Sequence, residues 1–345
     1  MSTPLPNDVL SRGRRAAEWL AKEHPVSRIY LGGAPTAGLG SPMSDIDLFV
    51  VRADCESLPP AQLEFEGERV DVEYLDLDRL RGDVQESTVF RVTNTDFSQT
   101  ARFSRNRLDV LTRFLLGEVV VDDGELAALR RRLTESMPDF RRLLITRHAI
   151  DAHNLTEDIC GAILNGDAPA TRYLSQELLH RATEAYLCMR GDLYVNTKWI
   201  WARWRRSASD LLKAAVTEVI DNSYAAEGDV VRRNRFLAQD LLVMAATGLE
   251  YEPVLGADPE HHTRRTDVCV IPMKGDGVLI ESIRGESVLL SWQGALLWGI
   301  SHGRPREEAV RLMGGVLASK GLQVGEDEIA AYHASLVDVG VIGLP

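Results

Sequence analysis

The chain has 345 residues, of which 45% are hydrophobic and 26% are charged, a composition typical of globular proteins with room for two or three domains. No apolar run reaches the roughly 18 residues that a membrane-spanning helix requires. The N-terminal residues have no apolar signal core, so we expect a cytoplasmic protein with no membrane partner. The formal net charge is −12, and because proteins that grip long nucleic acid usually present a basic face, we expect no long nucleic acid as a partner.

The first hundred residues predict one helix followed by strands. Residues 8–23 carry apolar side chains at helical spacing, and residues 28–31 form a short apolar strand. A glycine-rich loop over residues 32–40 leads to residues 44–51, where acidic and apolar side chains alternate as in a half-buried strand. Residues 69–75 show the same alternation and predict another strand.

The rest of the chain has two patterns of apolar residues, separated by a polar stretch. From about residue 77 to residue 250 the apolar spacing is helical. Residues 256–266 have few apolar side chains and no period, and we interpret them as a linker. Residues 267–345 then predict three strands, followed by helices near 292–301, 305–319 and 325–340, which is the plan of a small winged helix.

Two acids stand out on the second predicted strand. Asp45 and Asp47 lie two residues apart, so both carboxylates lie on one face of the strand. Like charges so close repel, and one carboxylate gains a proton unless a cation lies between them. Asp71 on the next strand can bring a third carboxylate to the same place, and carboxylates together with phosphates are the usual ligands of Mg²⁺. We therefore predict a Mg²⁺ site formed by Asp45, Asp47 and Asp71, with Glu73 as the alternative third ligand.

The glycine-rich loop before this strand is suited to phosphate. Glycines let backbone N–H groups approach phosphate oxygens closely. In chain order the sequence therefore offers a phosphate cradle, two metal ligands and then a third ligand. The residues that define this order are Gly33, Gly38, Ser44, Asp45, Asp47 and Asp71.

This pattern resembles the polymerase-β-like nucleotidyltransferase superfamily, in which a glycine–serine turn precedes a Ser-Asp-x-Asp strand and an acid on a later strand. The resemblance covers about residues 20–100. It implies an enzyme that uses Mg²⁺ to transfer a nucleoside monophosphate from a nucleoside triphosphate to an acceptor hydroxyl or phosphate. ATP is the triphosphate that we expect first. It also implies that Asp71 is the general base, with Glu73 in reserve. The nucleotide-binding residues that it implies are Gly32, Gly33, Ala34 and Ser44.

One position departs from the family pattern. The serine of the family turn contacts triphosphate oxygens, whereas the matching pair here is Gly33-Ala34, or Gly32-Gly33 in another register. Backbone N–H groups could still bind phosphate, and Thr36 or Ser41 could supply a hydroxyl. The missing hydroxyl also leaves open a degenerate fold that serves as a peptide-binding scaffold.

The helical middle resembles, more loosely, the helical domain of small-molecule nucleotidyltransferases such as antibiotic-modifying enzymes. In those enzymes a helix-borne lysine reaches the triphosphate, and Lys198 is the candidate here. The alternative is a solvated lysine beside core tryptophans. A basic cluster formed by Arg102, Arg105 and Arg107 could neutralise phosphate, although helix surfaces often carry such clusters. By this resemblance the acceptor could be a small molecule such as an aminoglycoside, a polycation that an acidic cleft would attract.

The C-terminal segment has a pattern that runs from Leu290-Ser291-Trp292 through His302-Gly303-Arg304-Pro305 to Gly340-Val341-Ile342. It resembles the PqqD-like family, whose members bind leader peptides of ribosomally made, modified peptides. The resemblance over residues 267–345 implies that such a peptide adds as a strand to the edge of the hairpin, and that the acceptor could be a peptide. The alternative is a dimerisation or packing appendix, and a homodimer is a further partner that the superfamily resemblance allows.

These patterns together predict an α+β fold in four parts. We expect a nucleotidyltransferase core with a mixed sheet over residues 1–100 and a helical domain over residues 101–255. A linker over residues 256–266 then precedes a small winged-helix-like domain over residues 267–345.

Overall fold

The computed structural model describes residues 7–23, 28–41, 44–53, 55, 58–221, 229–256, 261–262 and 264–343. The chain divides into two compact units. The sheet unit comprises Met1–Phe90, Arg102–Phe140 and Leu193–Trp199, and the helical unit comprises Arg91–Ala101, Arg141–Asp192 and Ile200–Pro345. A five-stranded mixed sheet, a three-stranded sheet and many helices confirm the predicted α+β class. The four-part division into 1–100, 101–255, 256–266 and 267–345 stays a prediction.

The sheet unit is built on five strands in the spatial order β3-β4-β2-β1-β5. Strand β2 pairs in parallel with β4, and the other three pairings are antiparallel. The strands are β1 (Arg28–Gly32), β2 (Ile46–Arg52), β3 (Ala61–Phe65), β4 (Glu68–Asp76) and β5 (Glu118–Val121). The predicted strands correspond to β1, β2 and β4.

Strand β5 lies in the range where we expected only helices. It has four residues, Glu118–Val121, and pairs with β1. A strand this short, enclosed by helical sequence, carries too little alternation to be recognised on its own. Strand β3 was also not predicted, and its half-buried residues alternate with exposed ones, as expected at the edge of a sheet.

The two faces of the five-stranded sheet differ in chemistry because successive side chains of a strand point to opposite sides. One face carries an apolar cluster that includes Leu31, Leu48 and Val72. Helix α1 (Asn7–Glu23) covers this face with Ala16 and Leu20, which are buried in the same cluster. The other face carries the odd-numbered residues of β2 and β4, which include the predicted acids.

The remaining helices of the sheet unit lie between and after its strands. Helix α2 (Leu77–Ser87) follows β4 directly, and the Asp76 carboxylate accepts the Arg79 N–H at its N-terminus. Helix α4 (Arg105–Leu116) begins at Ser104, whose hydroxyl caps it, and packs against β1. Helix α5 (Glu125–Glu135) follows β5, and the short helix α3 (Ser98–Arg102), of which only Arg102 belongs to the sheet unit, precedes α4.

The helical unit contains the long helices of the chain. Helices α7 (Ala168–Met189) and α10 (Asp229–Thr247) pack against each other. Arg203 is fully buried there, with Nη1 2.6 Å from a Glu184 oxygen and Nε 2.9 Å from an Asp192 oxygen. The other helices are α6 (Met137–Leu164), whose first residues belong to the sheet unit, α8 (Ile200–Ser207) and α9 (Asp210–Asp221).

The end of the helical unit has the predicted order of three strands and three helices. The strands form an antiparallel sheet in the order β6-β7-β8. Tyr251, five residues before the region interpreted as a linker, and Arg264, within that region, are buried. The elements are β6 (Val268–Pro272), β7 (Gly277–Ser282), β8 (Ser287–Ser291), α11 (Trp292–Ile300), α12 (Arg306–Ala318) and α13 (Glu326–Asp338). Across the described ranges, we find no helix with the length and apolar character that crossing a membrane demands.

Candidate active site

The predicted acids meet at one end of the five-stranded sheet. Asp47 on β2 lies in register with Gly32 on β1 and with Asp71 on β4. Asp45 immediately precedes β2 and is exposed. The parallel pairing of β2 with β4 is what brings Asp71 beside Asp47, because both strands begin at the same edge of the sheet. Glu73 lies two residues further along β4 on the same face.

The glycine turn lies directly against the Asp47 carboxylate. Gly33 has a φ of +86°, and a Cβ built on it would overlap Asp47 Oδ2. A side chain is therefore excluded at this position both by the left-handed backbone and by the lack of space. At Gly32 a Cβ would lie 2.6 Å from a ring carbon of Phe49. The backbone at Gly33 consequently passes close to the Asp47 carboxylate, and the backbone at Gly32 lies against the Phe49 ring.

The hydroxyls of the loop hold the loop itself. The Thr36 hydroxyl donates to the Gly33 carbonyl at 2.9 Å, and the Ser44 hydroxyl accepts the Ser41 N–H at 2.8 Å. Ser44 N–H in turn donates to the Ser41 carbonyl at 2.9 Å. The Ala34 carbonyl accepts from the Leu39 N–H, which closes the turn. Thr36 and Ser44 thus fix the loop geometry, and their roles toward a nucleotide stay predictions.

Asp47 is the carboxylate most affected by its surroundings. Burial raises its pKa to about 6, and the neighbouring Asp71, Glu73 and Asp45 add to the rise, whereas Arg113 opposes it. Burial also raises the pKa of Glu73. A buried acid among other acids is a place where a cation lowers the free energy.

A guanidinium already lies between two of the acids. Arg69 donates to Asp71 from Nη2 at 2.8 Å and from Nε at 3.1 Å, and its Nη2 lies 3.8 Å from Asp45 Oδ2. The described residues contain no group of three His, Cys, Asp or Glu side chains arranged to hold a metal ion. The oxygen donors of Asp45, Asp47 and Asp71 fit Mg²⁺ by chemistry, and the pairing with Arg69 shows that this end of the sheet accommodates positive charge. The assignment of the three acids as metal ligands stays a prediction.

Arg113 on α4 is a residue that the sequence did not single out. Its Nε lies 2.8 Å from Asp109 Oδ2 and its Nη1 lies 4.0 Å from Asp47 Oδ2. The guanidinium carbon lies 6.0 Å from the centre of the Phe49 ring, within cation–π range. Asp109 and Arg113 are spaced i,i+4 on a helix. An acid and a base at that spacing beside apolar residues form a pattern from which this ion pair could have been predicted.

The other predicted cations have different surroundings. Lys198 lies in a 3-10 helix, Thr197–Trp199, that belongs to the sheet unit, and its Nζ lies 5.5 Å from the centre of the Trp199 ring. Its contact with a nucleotide stays a prediction. In the basic cluster, Arg107 pairs with Asp83 and Arg102 lies 3.2 Å from Glu86.

Comparison with known proteins gives matches among solved structures. No protein-family model matches the chain, and no curated protein matches it. Among solved structures, the chain is similar to a nucleotidyltransferase-like protein from Exiguobacterium sibiricum 255-15, with a TM-score of 0.39 and 12% sequence identity. The match covers 67% of this chain and 76% of that one. A likeness at this TM-score does not establish a common fold or a function.

Proposed function

We propose that the sheet unit binds a nucleoside triphosphate with Mg²⁺ and transfers the nucleoside monophosphate to an acceptor. The observation that carries this proposal is the position of Asp47, which is partly buried, lies in register with Asp71 and is covered by the backbone of Gly33. Carboxylates on neighbouring strands beside a glycine turn suit phosphoryl chemistry. ATP is the first nucleotide to test.

Each residue then has a defined role. Asp45, Asp47 and Asp71 would hold Mg²⁺, which when bound supplies positive charge to the triphosphate. The backbone N–H groups of the Gly33-Ala34 turn would bind phosphate oxygens. Gly32 ends β1 directly before this turn, Ser44 lies two residues before β2, and we include both in the same phosphate site.

The proposed reaction forms one bond and breaks one. An acceptor oxygen attacks the α-phosphorus, the bond from that phosphorus to the bridging oxygen breaks, and pyrophosphate leaves with the electron pair. Asp71 accepts the proton of an acceptor hydroxyl. Glu73 is the reserve base, because its position on the same face of β4 brings it to the same side of the sheet.

The test is calorimetric binding of the four ribonucleoside triphosphates, each with and without Mg²⁺. We expect Mg²⁺-dependent binding of at least one nucleotide to the wild type and its loss in the Asp45→Asn/Asp47→Asn double variant. Asp158→Asn, at an exposed position of α6, is the matched control and should bind as the wild type does. Full binding by the double variant, or no binding of any triphosphate by the wild type, would refute the proposal.

A second proposal concerns the acceptor, and the edges of the three-stranded sheet favour it. We propose that β8 accepts a peptide as an added strand, and that this peptide is a leader attached to the group that receives the nucleotide. All five residues of β6 are buried, whereas Ser287, Leu289 and Ser291 of β8 are exposed. An exposed edge strand offers unpaired backbone groups to an incoming strand. A small-molecule acceptor is the alternative.

Selection of peptides from a displayed random library on the full chain tests this second proposal. Peptides that bind should lose affinity for Leu289→Lys, which places a charge on the exposed edge. Leu322→Lys is the control, because Leu322 is similarly exposed and lies outside the strands. Equal binding to both variants would place the peptide elsewhere and refute the role of β8.

A further inference from the structure

Arg113 occupies a particular place in the sheet unit. Its side chain is 19% exposed and lies between Asp109 on its own helix and Asp47 on β2. The ion pair with Asp109 fixes Nε, and Nη1 stays 4.0 Å from Asp47 Oδ2, which is longer than a hydrogen bond. The guanidinium is therefore held beside the acid that lies against the glycine turn, without being tightly bound to that acid.

Two other arginines of the sheet unit are held by carboxylates at both Nε and a terminal nitrogen, whereas Arg113 is held by Asp109 at Nε. Arg69 donates two hydrogen bonds to Asp71. Arg107, one helical turn and a half away on α4, donates to Asp83 from both Nε and Nη2 and also contacts Glu86. Arg113 contacts Asp47 only at ion-pair distance. Among these three, Arg113 is the arginine placed to exchange a carboxylate contact for a ligand oxygen.

The glycine turn lacks one group that a triphosphate would use. Ala34 offers no hydroxyl, and the Thr36 hydroxyl is already donated to the Gly33 carbonyl. A triphosphate carries several negative charges along its chain and binds best to charged donors. A planar guanidinium can donate two hydrogen bonds to phosphate oxygens at once, which a single hydroxyl cannot.

We infer that Arg113 binds the triphosphate chain from the side of α4 and replaces the hydroxyl that the Gly33-Ala34 turn lacks. This inference rests on the proposed nucleotide transfer and adds a phosphate-binding residue to it. Asp109 is the positioning residue that holds the guanidinium, through its contact with Nε. The ligand class is any chain of linked phosphates, so inorganic tripolyphosphate is a sufficient probe.

The test compares Arg113→Gln with the wild type in the binding of Mg²⁺–tripolyphosphate and of the nucleoside triphosphate that binds best. We expect both affinities to fall by the same factor, about 10- to 100-fold for loss of a charged donor. Arg81→Gln is the matched control, because Arg81 also lies in the sheet unit and pairs with carboxylates, those of Asp78 and Glu125, and it should leave both affinities unchanged. Arg113→Lys keeps the positive charge but loses the paired N–H donors of the guanidinium. If Arg113→Gln fails to fold, this variant tests the same contact, and we expect a smaller loss of affinity.

A second comparison asks whether Arg113 replaces the missing hydroxyl. Ala34→Ser should raise tripolyphosphate affinity more in the Arg113→Gln background than in the wild type, because the two groups then serve the same oxygens. An equal gain in tripolyphosphate affinity in both backgrounds would show that Arg113 does not replace the missing hydroxyl. Wild-type affinity in Arg113→Gln would overturn the inference while leaving the proposed function intact, whereas a wild type that binds neither probe would overturn both.

Discussion

The substitution Asp47→Asn should stabilise the metal-free protein at neutral pH while abolishing nucleotide transfer. Burial raises the pKa of Asp47 from 3.8 to about 6, so the ionised carboxylate is less favourable in the folded chain than in water. Asparagine has nearly the same shape and never ionises. The substitution removes that cost and at the same time removes the charge that the proposed Mg²⁺ site requires.

The magnitude follows from the pKa change and its sign. A rise of about two pKa units at about 1.4 kcal/mol each gives an upper bound of about 3 kcal/mol. The side chain is 28% exposed, and solvent screening reduces the figure to about 1–3 kcal/mol. Because the folded pKa is raised, the wild type has its full stability below the unfolded pKa and loses this contribution as pH rises through about 6. The advantage of Asp47→Asn should therefore grow with pH and level off above about pH 6.

Thermal unfolding in chelator, at a series of pH values from about 4 to 8, measures this difference. The midpoint of Asp47→Asn should exceed that of the wild type by several degrees at neutral pH and approach it in acid. The exposed control Asp158→Asn should show no such trend. Added Mg²⁺ should raise the midpoints of the wild type and of Asp158→Asn but not that of Asp47→Asn, since a ligand of the folded state stabilises it. A variant that is less stable than the wild type at neutral pH without metal would refute the burial argument.

Two further substitutions test packing at other points. Gly33→Ala should lower the thermal midpoint and eliminate Mg²⁺-dependent nucleotide binding, because a methyl group at φ +86° would overlap Asp47 Oδ2. The backbone strain alone costs about 1–3 kcal/mol. Unchanged binding would contradict the placement of the turn. Arg203→Ala should lower the free energy of unfolding, measured in urea, by about 3–5 kcal/mol, because it removes the cation that pairs with the buried Glu184 and one of the two arginines that pair with Asp192. Arg206→Ala, with a 39% exposed side chain, should cost about 1 kcal/mol or less, and equal losses in the two variants would contradict the burial of the Arg203 cluster.

Local periodicity was sufficient to predict most of the strands and helices. The strand that carries Asp45 and Asp47 alternates acidic and apolar side chains, and β2 begins at Ile46 between them. The C-terminal order of three strands and three helices was predicted for the same reason, because each element is long enough to show its period. The glycine turn was predicted from composition, and the structure supplies its cause, the close approach of Gly33 to Asp47.

Features that depend on contacts between distant parts of the chain could not be predicted in this way. The parallel pairing of β2 with β4 sets Asp71 beside Asp47, and a single sequence gives the spacing of the strands without their order in the sheet. Arg113 is separated from Asp47 by more than sixty residues, and only the packing of α4 over the sheet brings them together. The same limit applies to β5, whose role is evident only from its pairing with β1.

The energetics of the sheet unit bear on whether the site is functional or degenerate. The face toward α1 is a continuous apolar cluster that stabilises the sheet, whereas the opposite face keeps Asp47 partly buried at a cost in free energy. Arg113 offsets part of that cost from 4.0 Å, and Asp109 in turn holds Arg113. A fold kept only as a scaffold would be more stable with a neutral residue at position 47. In the proposed site, Mg²⁺ bound beside Asp47 would offset the cost of burying this acid against a glycine that admits no side chain.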